Sequence, residues 1–164
     1  MKKHTLYLAS VCSAVALGLV ACGDSSSSSA SGETTSADGV RTIQITGNDQ
    51  MQYNIHEIKA KPGEKLRVQL KNIGKMPAQT MSHNWVLLKK LDQAAVNAFA
   101  MAAASKTPEH LPDDRSAILF HTKMLGPNES DTIEVTAPAE AGAYPYLCTF
   151  PGHSALMKGQ FIVE

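Results

Sequence analysis

Near the C-terminus of the chain stands the run CTFPGHSALM, residues 148–157. It places a thiol at Cys148, an imidazole at His153 and a thioether at Met157, with Cys-x4-His-x3-Met spacing. A thiolate and imidazoles suit copper, and a set of two histidines and one cysteine with a weak axial methionine describes a blue-copper site. The run therefore predicts a copper centre that still lacks one histidine.

The missing histidine is predicted to be His83, in the apolar run MSHNW at residues 81–85. This run lies far upstream of Cys148. A strand-rich fold, in which most contacts join distant segments, is needed to close such a site.

Each candidate ligand also has an ordinary structural interpretation. A cysteine is commonly a buried structural thiol, and methionine commonly fills hydrophobic cores. Taken singly, His83 is consistent with a hydrogen-bonded core histidine, and His153 with an exposed loop residue. The spacing of the whole set favours ligation.

From Val40 onward the chain contains short runs in which apolar and polar residues alternate. Ile43 and Ile45 alternate with polar neighbours, and Ile133 and Val135 flank Glu134 in the same way. Period-two alternation with turn residues between the runs predicts half-buried antiparallel strands and hairpin-like connections. About eight strands are predicted, which suits an all-β Greek-key sandwich or barrel. They lie near residues 40–46, 53–60, 65–71, 80–89, 117–124, 130–136, 143–149 and 158–163.

One segment departs from the strand pattern. Residues 91–105 are rich in alanine and predict a single helical insertion. Asp92 is placed to begin this helix, and the pair Thr107-Pro108 follows its end.

The two ligand-bearing runs resemble those of the azurins, a family of periplasmic cupredoxins. Azurins have MGHNW around the first histidine and CTFPGHxALM in the closing loop, and the second motif stands here unchanged. Further matches are GNDQMQYN at residues 47–54 and HTK at residues 121–123. The resemblance covers residues 40–164 and implies a cupredoxin-like fold, a helical insertion and one type 1 copper per chain.

The resemblance implies a role for each residue of the metal site. His83, Cys148 and His153 would be copper ligands, with Met157 as the axial ligand. Ser82 replaces the glycine whose carbonyl oxygen is a distant axial ligand in azurins. Serine keeps a carbonyl but is expected to restrict the backbone, which disfavours five-fold coordination.

Residues around the ligands would tune the site. Asn84 and Thr149 would hold the two ligand segments together, with backbone amides donating to the Cys148 sulfur. Azurins also have a disulfide near the N-terminus, and the corresponding positions here fall close to Arg41 and Gly63, neither of which is cysteine. The chain lacks that cross-link.

The resemblance also implies a docking patch around the exposed edge of His153. An apolar patch of a few hundred Å² supports transient docking, here with c-type cytochromes or other periplasmic redox proteins, by a monomeric carrier. Its predicted members are Met76, Pro77, Gly152, Ala155 and Leu156.

The first residues predict export. Residues 1–21 combine Lys2 and Lys3 with an apolar run too short for a spanning helix, which is typical of a signal peptide. The sequence LVAC that ends at Cys22 resembles a bacterial lipobox, so Cys22 would be lipidated and anchored to a membrane. A soluble secreted protein cut nearby is the alternative.

Three segments follow from this. They are a signal peptide at residues 1–21, lipidated Cys22 with a disordered Ser/Gly-rich tether at residues 22–39, and the copper domain at residues 40–164. The location is the periplasmic side of a bacterial membrane. Because Asp24 does not directly follow Cys22, the outer membrane is slightly favoured.

Composition narrows the alternatives. The 164 residues include 15 basic and 15 acidic side chains, so no basic excess favours nucleic acid. A copper or zinc storage module remains as a second hypothesis. A copper enzyme would need another metal centre, for which only His56, His110 and His121 are available. We expect His121 to be a structural or surface residue, and His56 and His110 to be exposed.

Overall fold

The computed structural model describes residues 32–37 and 39–164, and the predicted signal peptide and Cys22 lie outside them. The described residues form nine strands, two α-helices and one short 3-10 helix. The elements are β1 Glu33–Thr35, β2 Arg41–Gly47, β3 Glu57–Ala60, β4 Lys65–Asn72, α1 Ala78–Met81, β5 Val86–Leu88, α2 Gln93–Ala104, β6 Ile118–His121, β7 Ser130–Thr136, β8 Gly142–Leu147, the 3-10 helix His153–Ala155 and β9 Lys158–Val163.

The strands form two sheets, which confirms the predicted all-β cupredoxin-like class. One sheet has the order β1-β2-β4-β7 and the other the order β3-β9-β8-β5-β6. The prediction of antiparallel strands is wrong for two pairs, because β2 runs parallel to β4 and β3 runs parallel to β9. Alternation reports which face of a strand is buried and carries no information on the direction of its neighbour.

The main core lies between the two sheets. Ile43 and Ile45 of β2 and Val68 of β4 face it from the first sheet. Trp85 and Phe161 face it from the second, each with no exposed surface. The period-two pattern of the sequence thus corresponds to the inward face of each sheet.

Helix α2 covers the outer face of the second sheet. Its N-cap Asp92 accepts a hydrogen bond of 2.8 Å from the Ala95 backbone N–H, so the predicted start is confirmed. Val96 and Phe99 pack with Val86 in a second apolar cluster. Strand β5 is buried on both faces for this reason.

Two predicted strands are shorter than expected. Regular pairing in the predicted strand 53–60 covers only β3, and in 80–89 it covers only β5. The first residues of the latter segment instead complete α1, where the Ser82 hydroxyl donates to the Ala78 carbonyl over 2.7 Å. Ser and Thr side chains that bond to nearby backbone compete with strand pairing in this way.

Part of the predicted tether is ordered. Within residues 22–39 the structure describes 32–37 and 39, and there β1 pairs antiparallel with β2. The Glu33 carboxylate lies 2.9 Å from the Arg41 guanidinium and supports this pairing. No helix among the described residues is long and apolar enough to cross a membrane.

Candidate metal centre

Three predicted ligands lie together at one end of the sandwich. The donor atoms of His83, Cys148 and His153 all lie within 4.8 Å of one another. The two imidazole Nδ1 atoms are 3.2 Å apart, and the Cys148 Sγ is 3.7 Å from the His153 Nδ1. At most 2% of any of the three residues is exposed, so the site is shielded from water.

Neighbouring strands bring the first two ligands together. Strand β5 pairs with β8, so His83 before β5 and Cys148 after β8 lie at the same end of the sheet. His83 is fixed further by backbone hydrogen bonds in both directions with Leu125, at 3.0 and 2.8 Å.

A tight loop brings His153 back to Cys148. Gly152 has a φ of 82°, a left-handed conformation that glycine adopts without steric cost, and the 3-10 helix starts there. The Met157 N–H donates to the His153 carbonyl over 2.8 Å, and the Cys148 N–H donates to the Met157 carbonyl over 2.9 Å. These bonds close the ligand loop.

The orientation of the His83 ring is set by a carbonyl outside the site. Its Nε2 lies 3.0 Å from the Asn48 carbonyl oxygen, which can only accept. In the neutral ring Nε2 therefore carries the proton, and Nδ1 presents its lone pair to the cluster. Histidine ligands of metals are commonly fixed by such a bond from the other ring nitrogen.

Burial keeps both imidazoles neutral. It lowers the pKa of His153 to about 4, with smaller effects of His83 and His110 in the same direction. Burial also lowers the pKa of His83, against an opposing effect of the hydrogen bond to Asn48. A neutral imidazole is the form that binds a metal.

The pKa of Cys148 shifts in the opposite direction. Burial raises the pKa of the Cys148 thiol to about 12, although hydrogen bonds from the backbone of Asn84 and Phe150 lower it in part. A coordinated metal ion deprotonates a thiol outright. The two amide donors are positioned to stabilise the thiolate sulfur that such an ion would require.

A buried pair of side chains joins the two ligand segments. The Asn84 side-chain amide donates to the Thr149 hydroxyl over 2.8 Å, and its oxygen accepts from the Thr149 backbone N–H at 2.9 Å. Tyr53 donates its hydroxyl to the Asn84 carbonyl. Residues next to two ligands are thus held to each other and to the core.

Met157 is fully buried beside the cluster. A Cβ atom on Gly47 would lie 2.7 Å from the Met157 Cε and 2.9 Å from the His83 Cδ2. A side chain larger than hydrogen at this position would therefore displace Met157 or the His83 ring. Sequence reasoning used Gly47 only as part of a matching run, and nothing in a single sequence identifies it as a contact of the site.

This donor set fits copper. Two neutral imidazole nitrogens and a thiol sulfur converge in a dry site, and N and S ligands in this combination suit copper among the biological metals. The fourth donor in the neighbourhood is a thioether, a soft ligand.

Comparison with known proteins agrees with this donor set. A family profile described as "Copper binding proteins, plastocyanin/azurin family" matches residues 40–164. The chain belongs to this family. It is 41% identical to azurin of Pseudomonas aeruginosa over 126 residues, which span 75% of this chain and 84% of that protein. It is 42% identical to azurin-1 of Alcaligenes xylosoxydans xylosoxydans over 122 residues, which span 72% of this chain and 93% of that protein.

Solved structures of two auracyanins resemble this chain. Reduced auracyanin of Roseiflexus castenholzii superposes with a TM-score of 0.67 and 34% identity, covering 80% of this chain and 99% of that one. Auracyanin A of Chloroflexus aurantiacus, described as a "blue" copper protein, superposes with a TM-score of 0.68 and 32% identity. The match covers 75% of this chain and 98% of that one. Copper is thus the cofactor of this family member, and His83, Cys148 and His153 are its candidate ligands.

The predicted patch residues all lie on the surface, but the predicted exposed edge of His153 is wrong, because only 2% of that residue is exposed. The predicted patch residues Met76 and Leu156 are 41% and 57% exposed, and Pro77, Gly152 and Ala155 are also exposed.

Ser82 is 5% exposed and has an extended backbone, with φ −84° and ψ 155°. Serine adopts this conformation without strain. The serine side chain therefore does not strain the backbone at this position.

One histidine was placed wrongly. The sequence predicts that His110 is exposed, but only 7% of it is accessible. Its ring packs against Phe150, with ring centroids 5.1 Å apart, in the loop that follows α2. Loop residues are exposed by default, and only the tertiary contact with the ligand loop buries this one. His56 and His121 are exposed.

Proposed function

We propose that this cupredoxin is a periplasmic, membrane-anchored electron carrier and not an enzyme. Its single type 1 copper would cycle between Cu(I) and Cu(II) as it passes electrons between redox partners. The observation that supports this most directly is the buried convergence of two imidazoles and a thiol, with the His83 ring fixed through Asn48. Copper, when bound, supplies a one-electron couple. The protein supplies the geometry.

Rigidity is the property that suits this site to electron transfer. A ligand set that changes little between the two oxidation states lowers the barrier to transfer. The Asn84–Thr149 pair, the Asn48 carbonyl and the backbone bonds of the ligand loop each restrict one ligand segment. We propose that the Met157 thioether would be a weak fourth ligand of the copper and that the Ser82 carbonyl would be a more distant contact.

We propose that electrons enter and leave through the docking patch of Met76, Pro77, Gly152, Ala155 and Leu156. Gly152 and Ala155 flank His153 in the ligand loop, so a docked partner approaches this ligand closely although only 2% of it is exposed. An apolar patch without a permanent partner suits brief encounters with c-type cytochromes or other periplasmic redox proteins.

We further propose that Cys22 is lipidated and that the residues between Cys22 and β1 tether the domain to the periplasmic side of a bacterial membrane, with a slight preference for the outer membrane. Replacing Cys22 with alanine should move the protein from the membrane to the soluble periplasmic fraction. Membrane association that persists in this variant would contradict the anchor and leave the copper site unaffected.

The electron-carrier proposal is tested by titrating the protein with copper(II) while recording visible absorption and electron paramagnetic resonance spectra. One intense charge-transfer band toward red wavelengths at one copper per chain, with a small copper hyperfine splitting, is the expected result. The Cys148→Ala variant is the matched control and should fold without developing this band. Its retention in the variant would contradict the ligand assignment.

Electron self-exchange separates the carrier from the storage module. Rapid exchange between oxidised and reduced protein supports the carrier. A weak, ordinary cupric spectrum, slow self-exchange or isolation with zinc would overturn the proposal in favour of storage.

A further inference from the structure

His110 is a buried imidazole with one nitrogen in use. Its Nδ1 lies 2.8 Å from the Ala104 carbonyl oxygen, so Nδ1 carries the proton in the neutral ring. Its Nε2 is therefore an acceptor, and among the described residues no hydrogen-bond donor meets it. The residue is 93% buried, given its 7% exposure, yet Nε2 is not among the fully enclosed polar atoms that lack a partner. Nε2 is thus open to a ligand.

His110 lines a groove between the loop after α2, the α1 segment and the Phe150-Pro151 turn. The groove has a volume of about 570 Å³, which is within the range of small-molecule sites. Its walls are mainly apolar, with Pro108, Met124 and Phe150 among the larger side chains. Within the described part of the chain, no charged side chain lines it, so it favours a neutral ligand.

The groove is separate from the metal centre and from the docking patch. His83, Cys148, His153, Met157 and the five patch residues do not line it, and Ser82 is the one residue of the predicted metal site among its lining residues. It is nevertheless connected to the centre by packed rings. The centroid of the Phe150 ring lies 5.1 Å from that of His110 and 4.7 Å from that of His153.

We propose that this groove binds a small, neutral, planar aromatic molecule that carries a hydroxyl group, a ligand of the phenol class. The hydroxyl donates to the His110 Nε2, and the ring packs against Phe150 and the adjacent prolines. The acceptor selects for a donor group, the apolar walls for an aromatic ring, and the absence of charge among the lining residues for neutrality.

Aromatic pairs favour offset or tilted contacts at these centroid distances, so a third ring extends the existing contact of His110 and Phe150. A ligand bound there lies two ring contacts from His153. The binding itself needs no metal, so this inference goes beyond electron transfer and does not rest on it.

The test uses 2-naphthol as the probe and 2-methoxynaphthalene as the matched control ligand, which has the same ring system but no donor. Both are titrated into the reduced protein while backbone amide shifts are followed by nuclear magnetic resonance. We expect saturable shifts at Thr107 and Phe150, with 2-naphthol binding roughly two- to tenfold more tightly than the methyl ether.

Two variants locate the contact. His110→Phe keeps a ring against Phe150 and removes the acceptor, so it should lower the affinity for 2-naphthol by a similar factor and leave that for the methyl ether unchanged. His56→Phe changes an exposed histidine outside the groove and should alter neither affinity. The comparison of the two ligands on the unaltered protein remains decisive if His110→Phe does not fold.

Equal affinity for the two ligands, shifts confined to residues 152–156, or no saturable binding would each overturn this inference. A failure of the electron-carrier proposal appears instead in the copper(II) spectra, which this experiment does not use. The two outcomes are therefore distinguishable.

Discussion

The side chain of Met157 lies directly against the backbone of Gly47, so closely that a Cβ atom on the glycine would be 2.7 Å from the Met157 Cε. Both residues are buried, and the same Cβ would also approach the His83 ring at 2.9 Å. The last residue of β2 therefore shapes the position of two candidate ligands without contributing a ligand itself.

Gly47→Ala should displace Met157 and His83. Overpacking of a tightly packed core costs about 1–3 kcal/mol, and we expect a loss of this size in the unfolding free energy of the metal-free protein. The copper(II) hyperfine splitting should change as well, because two donors move. Urea unfolding and electron paramagnetic resonance measure the two effects.

A double-mutant cycle is the control for this prediction. In a Met157→Ala background only the close contact with the His83 ring remains, so Gly47→Ala should cost clearly less than it does alone. Equal costs in both backgrounds would show that the contact with Met157 is not responsible.

Asn84→Ala should weaken the connection between the two ligand segments. It leaves the buried Thr149 backbone N–H without its acceptor, which costs about 1–3 kcal/mol of stability. Outer contacts of metal ligands commonly affect metal affinity by about 10- to 100-fold, and we expect weaker copper binding in this range. Thr149→Ser retains the hydroxyl and the N–H, so it should leave both quantities nearly unchanged.

The metal-free protein should lose stability in mild acid. Burial lowers the pKa of His153 from 6.5 in the unfolded chain to about 4 in the folded state. Between these values the unfolded chain binds a proton that the folded protein does not, so the unfolding free energy falls as the pH falls through this window. The loss from this ring is at most about 3 kcal/mol. Burial also lowers the pKa of His83 and acts in the same direction.

Urea unfolding at pH 7 and pH 4.5 measures this effect. The His153→Gln variant removes one of the two buried imidazoles and should show a shallower dependence on pH. If the variant and the original protein lose stability in parallel, the proton is taken up elsewhere.

Arg41 should stabilise the edge of the first sheet. Its guanidinium donates to the Glu33 carboxylate at 2.9 Å, to the Glu64 carboxylate at 3.0 Å and to the Lys59 carbonyl at 2.5 Å. Arg41→Met removes all three bonds, and we expect a loss of about 1–3 kcal/mol, since charge-assisted bonds exceed neutral ones.

The matched control is Lys59→Met. Lys59 pairs with Glu164 at 2.9 Å, but both side chains are about 60% exposed, so water screens the pair and its loss should not measurably change stability. Equal effects of the two substitutions would show that the partly buried position of Arg41 has no special importance.

Strand positions were predictable where one face is buried. The predicted strands 65–71, 130–136 and 158–163 agree closely with β4, β7 and β9, because side-chain alternation along a strand directly reflects its inward and outward faces. Helix α2 was predictable from its alanine content and the Asp92 cap. Strand β5 was located less well, since burial on both faces removes the alternation.

The sequence by itself determined the kind of donor at the metal centre and the spacing of three of the donors, because Cys148, His153 and Met157 lie within one loop. It also determined the family, because the ligand runs are local and specific. Sequence spacing has this power only over short distances, where the chain itself restricts how far apart side chains can lie.

The tertiary structure alone decided which nitrogen of His83 faces the cluster, that Gly47 packs against Met157 and His83, and that His110 is buried against Phe150. Each of these facts depends on contacts between segments that are distant in the sequence. Such contacts form only when the two sheets pack, and the parallel pairings of β2 with β4 and of β3 with β9 set which segments meet.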